Sequence, residues 1–82
     1  MDRKKLARIN NLGREILTLE TRLACAKANV HAARLMLDRD DLTCREWSEA
    51  AGEYGRGCGS MFALEKRLRV VLGRFHFEVS TI

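Results

Sequence analysis

Residues 9–37 read INNLGREILTLETRLACAKANVHAARLML. Ile9, Ile16, Leu23, Val30 and Leu37 recur at every seventh position, and Leu12, Leu19, Ala26 and Ala33 stand three residues further on. Apolar residues spaced alternately three and four apart form one stripe along an α-helix, and a long helix with such a stripe presses it against another helix. No proline interrupts the pattern. The periodicity predicts a single helix over residues 3–38, roughly 50 Å long at 1.5 Å per residue. Leucine and alanine, both strong helix formers, dominate it. Gly13 is a weak interior position and Asn10 and Asn11 are mildly unfavourable, so the N-terminal turns are expected to fray.

Downstream, Asp38-Arg39-Asp40-Asp41 ends the periodicity, and Thr43 followed three residues later by Glu46 is a capping box. Leu42 and Trp47 stand at the positions of a hydrophobic staple around it. A second helix is therefore predicted over 44–75, with residues 39–43 as the turn. So short a connection folds the helices back antiparallel. The second helix has its own seam: Trp47, Tyr54, Met61, Leu68 and Phe75, with Ala50, Gly57, Leu64 and Val71 between them. Folding about the turn sets Leu37 against Trp47, Val30 against Tyr54, Leu23 against Met61, Ile16 against Leu68 and Ile9 against Phe75. Small residues meet as well, Ala26 near Gly57 and Ala33 near Ala50. The fold class this predicts is all-α: an antiparallel, coiled-coil-like two-helix hairpin in one domain, completed by dimerisation or by a partner's helices.

Gly52, Gly55, Gly57 and Gly59 interrupt this agreement. Each costs a helix interior on the order of 1 kcal/mol relative to alanine. Two readings follow, a bend or frayed break, or close approach by a second protein. After Phe75 the apolar residues Phe77 and Val79 alternate with His76, Glu78 and Ser80, a pattern that fits a short strand added to a partner or a loose tail, and residues 76–82 are expected to form the tail.

The chain has 82 residues, 46% of them apolar and 32% charged, which suits a solvated helical protein rather than a disordered one. A domain this small buries only about 60% of its unfolded surface. Cys25, Cys44 and Cys58 form no CxxC pair, and an odd count fits a reducing compartment. Arg8, Asn10, Asn11 and Arg14 interrupt any signal-peptide core behind the basic start, and no stretch is apolar enough to span a membrane. A cytoplasmic location is expected.

A seam buries one stripe per helix, yet Leu17, Ala24, Ala28 and Leu35 lie outside it on the first helix and Phe62, Ala63, Val70 and Leu72 on the second. Contiguous exposed apolar surface usually marks a contact site. These eight residues are the candidate protein-binding stripes, for a second copy making a four-helix bundle or for a different helical partner. Charge is uneven too. Arg3, Lys4, Lys5, Arg8, Arg14, Lys66, Arg67, Arg69 and Arg74 converge on the open end, while Asp38, Asp40, Asp41, Glu46, Glu49 and Glu53 sit at the turn. Such ends steer partners or bind phosphate backbones, but Phe75 and Phe77 make a thin stacking platform and no nucleic-acid-binding signature is present. His31 and His76 lie far apart, and the approach of Cys25 to Cys58 across the hairpin supplies too few groups for a metal. Glu15 and Glu65 are placed to bridge to Arg22 or Arg69 along the helix surfaces. A hairpin has no cleft for acid–base chemistry. Neither an enzyme nor a cofactor is expected.

The long Leu/Ala helix ending in Ala33-Arg34 and Leu37, the polar turn with Leu42-Thr43 and Trp47, and the close on Leu68, Val71, Leu72 and Arg74-Phe75-His76 resemble the small E-type co-chaperones of bacterial type III secretion systems. The resemblance covers residues 6–77. It implies a two-helix hairpin that, with a tetratricopeptide-like chaperone partner, keeps the needle subunit monomeric in the cytosol. Two other classes fit the same features: a basic helical nucleic-acid-binding module, and a small phage-type inhibitor of a host protein complex.

If the seam is assigned correctly, Leu23→Ala lowers stability by roughly 2–5 kcal/mol in urea or thermal unfolding. A loss below about 0.5 kcal/mol would place Leu23 outside the interface.

Overall fold

A computed structural model describes residues 2–82. Helix α1 spans Arg3–Leu37 and helix α2 spans Cys44–Ser80. They pack antiparallel into a rod of 61 × 14 × 14 Å, with no strand among the described residues.

Both helix starts are capped by side chains. The Glu46 amide donates to Thr43 Oγ1 at 3.1 Å and the Thr43 amide donates to Glu46 Oε1 at 3.3 Å, which completes the capping box. At the other start, Asp2 Oδ1 accepts from the Lys4 amide at 3.2 Å. Aspartate is among the strongest N-caps, and α1 is formed from Arg3 despite Gly13, Asn10 and Asn11.

The core is one seam thick. Ile16, Leu19 and Val71 form its centre, with Leu12, Leu64, Leu68, Leu72 and Phe75 packed around them. Leu23, Ala26, Ala33 and Ala50 extend the buried line toward the turn, and among the described residues Val71 alone is fully buried. Ile9, Val30, Leu37, Tyr54, Met61, Leu68 and Phe75 are half-buried.

The structure corrects the expected pattern at four places. Trp47, placed in the seam by spacing, is 54% exposed. It lies in the first turn of α2, where α1 has already ended, and lines a shallow hollow with Leu42 over the turn. Leu72, placed on an outer stripe, packs on the core cluster. The expected tail at 76–82 is instead helical to Ser80. Arg8 donates to Glu78 Oε1 at 3.3 Å and Lys5 donates to Thr81 Oγ1, so the last turns of α2 are held against the first turns of α1. Glu15 pairs across the interface with Arg67, at 2.7 Å, and not with Arg22 on its own helix.

The glycine cluster stays helical throughout. No glycine has a positive φ, so backbone conformation does not require any of them. Gly57 has a steric reason. A Cβ there would stand 2.6 Å from Val30 Cγ2. The missing side chain admits Val30, one helical turn further along α1 than the Ala26 contact the spacing predicts. Gly55 and Gly59 have nothing within 4 Å of a Cβ position.

These environments give opposite outcomes for one substitution. Gly59→Ala raises stability by about 0.5–1 kcal/mol through helix propensity alone. Gly57→Ala forfeits that gain, because Val30 is β-branched and its rotamer is stiff in a helix. Equal melting temperatures for the two variants would contradict the Val30 contact.

Candidate interaction surface

The residues outside the seam divide between two flanks of the rod. Leu17 and Phe62 each follow a seam residue, Ile16 and Met61, by one position. Val70 precedes the seam residue Val71 by one position, and Phe77 follows Val70 by seven. At 100° per residue these two sets point to opposite sides, and in an antiparallel pair like sides meet.

On the first flank Leu17 is 66% and Phe62 68% exposed, and Ala24 is exposed between their levels. Ala28 and the exposed Leu35 continue outward from it toward the turn. Gly55, with open space around its Cβ position, stands one heptad before Phe62. On the second flank Val70 and Phe77 are exposed and line an open groove of about 620 Å³ together with Leu12, Arg8, Arg74 and Glu78. Ala63, also exposed, lies one heptad before Val70. Further toward the turn, Ala32, Ala33, Gly57, Glu53 and Arg56 line a second, more polar hollow of about 470 Å³.

Charge follows the long axis of the rod. The nine cations at the open end share it with five carboxylates, Asp2, Glu15, Glu20, Glu65 and Glu78. The six carboxylates at the turn end face Arg34, Arg39, Arg45 and Arg56. Four ion pairs reduce the contrast locally: Arg8–Glu78 and Arg67–Glu15 at the open end, Arg45–Glu49 at 3.3 Å and Arg39–Asp41 at 2.8 Å at the turn. The Arg39–Asp41 pair is bidentate, Nε donating to Oδ1 at 3.0 Å and Nη2 to Oδ2 at 2.8 Å. Hydrogen bonding from Arg39, then a backbone hydrogen bond and the Arg39 charge, hold the Asp41 carboxyl below the ordinary aspartate range. The same partner raises Arg39. Both groups are exposed, so this pair orders the turn and salt screens it.

The site holds no cluster of reactive groups. Cys25, Cys44 and Cys58 are free thiols. Among the described residues no three His, Cys, Asp or Glu side chains come together as metal ligands. No helix of the described residues is long and apolar enough to cross a membrane. Glu65 forms no ion pair among the described residues. Comparison with protein-family models, curated proteins and solved structures gives no match.

Asp41 gives a pH signature. Its contribution to the turn is present above the ordinary aspartate pKa and is lost as pH falls through the lowered folded-state value. The carboxyl-carbon NMR titration of Asp41 is expected below the ordinary range, and Arg39→Ala moves it up toward that range, the backbone hydrogen bond remaining. An unmoved midpoint in the variant would remove Arg39 as the cause.

Proposed function

We propose that this hairpin is a non-enzymatic co-chaperone of the type III secretion kind. In this reading it works in the cytosol, binds a tetratricopeptide-like chaperone partner and helps keep the needle subunit monomeric. The observation that carries the reading is the exposed apolar flank through Leu17 and Phe62. Two large side chains sit in water there, on a rod whose core is one seam thick. Helices of a repeat protein present concave apolar surface of the shape that would cover such a flank. The hairpin layout, the polar turn and the aromatic–histidine close at Phe75-His76 support the same reading.

The experiment is co-expression with a tetratricopeptide-like needle chaperone, followed by affinity purification through the hairpin. A stable one-to-one complex that survives nuclease treatment is expected, and Leu17→Asp with Phe62→Asp abolishes it while the free hairpin keeps its helicity. Failure of the wild type to form the complex, or a complex indifferent to both substitutions, would count against the assignment. The basic open end favours a second reading, binding of a nucleic-acid backbone. In that case affinity for RNA or DNA falls steeply between about 50 and 200 mM salt, and Phe62 is immaterial.

A further inference from the structure

The flank opposite Leu17 and Phe62 has a different character. On α2, Glu46, Glu49 and Glu53 recur along it near the turn, with Arg56 as the one cation among them, and Arg67 and Arg74 recur along it near the open end, where Glu78 is bound by Arg8. Glu46 is engaged in the capping box, Glu49 by Arg45 and Arg67 by Glu15. Glu53 and Arg74 have no ionic partner among the described residues. Each lines a hollow, Arg74 the apolar groove with Val70 and Phe77, and Glu53 the hollow floored by Ala33 and Gly57.

We propose that this flank is covered by the same flank of a second copy running antiparallel, so that Arg74 of each copy meets Glu53 of the other. Antiparallel pairing about the middle of α2 sets the turn containing Arg74 level with the turn containing Glu53. It also lays the exposed Val70 over the small-residue hollow at Gly57. A two-fold axis makes every such contact twice and closes the assembly at two copies. Parallel pairing would bring like charges together at both ends. Area is sufficient. A rod 61 Å long and 14 Å across offers a side on the order of 800 Å², the share each partner contributes to a standard-size interface. The interaction leaves the Leu17–Phe62 flank open, so it stands independently of the function proposed above.

Sedimentation equilibrium of the purified full chain tests it. The wild type is expected at twice the 9.4 kDa chain mass, with dissociation favoured by high salt. Arg74→Glu alone and Glu53→Arg alone each weaken the dimer at least tenfold, and the two together restore it. Phe77→Ser, at an exposed position outside the charge pair, also yields the monomer. Circular dichroism shows each variant to be helical. A wild type that is monomeric at all concentrations, a dimer that survives the single reversals or Phe77→Ser, or a double reversal that fails to restore pairing would each overturn the proposal.

Discussion

Contact between two apolar ridges, centred where Val71 enters between Ile16 and Leu19, is the constraint on which the molecule depends. No second layer stands behind either helix. An isolated helix of this composition gains little from propensity alone, and most helical stability in proteins comes from burying an apolar face. Loss of the ridge contact therefore removes the reason for both helices at once. The same thinness explains the surface. A helix in a larger domain buries a wide stripe, whereas here each helix buries only its seam and its immediate neighbours. Phe62 and Phe77, each more than 60% exposed, are the consequence.

The two flanks divide the remaining work by different physics. The flank of Leu17 and Phe62 leaves two large apolar side chains exposed and carries charges of both signs, Glu20 and Glu65 beside Arg34 and Arg69. The flank of Val70 and Phe77 places unpaired opposite charges at its two ends, Arg74 and Glu53. Exposed ion pairs contribute little energy individually. Their arrangement selects orientation and partner, while apolar contact supplies affinity. A rod with an acidic turn and a basic open end carries an orientation signal over its whole length, which a compact domain of equal charge would average out.

Much of the fold was legible residue by residue. Thr43 and Glu46 announce the start of α2, because a capping box satisfies two orphan amides with atoms only three residues apart. The seam positions Ile16, Leu23 and Val71 follow from periodicity, since the helical repeat acts locally. The end of α2 was not legible. Phe77 and Val79 alternate with polar residues, which reads as extended chain, but Arg8 and Lys5 reach across from α1 to Glu78 and Thr81 and hold those turns helical. Trp47 and Leu72 exchanged roles for a similar reason. What covers a side chain depends on where the opposite helix ends and on its register and rotation.

By itself the sequence determined that there are two helices, where the turn falls, which ridge each helix buries and how charge is graded along the rod. Those properties depend on spacing and on contacts within a few residues. Only the tertiary structure decided that Gly57 makes room for Val30 rather than for a foreign chain, that Glu15 bonds to Arg67 across the interface, and that Leu72 packs on the core while Trp47 stays exposed. Each of these depends on the register and rotation of one helix against the other, and side-chain volume at the interface sets those only when both helices are in place.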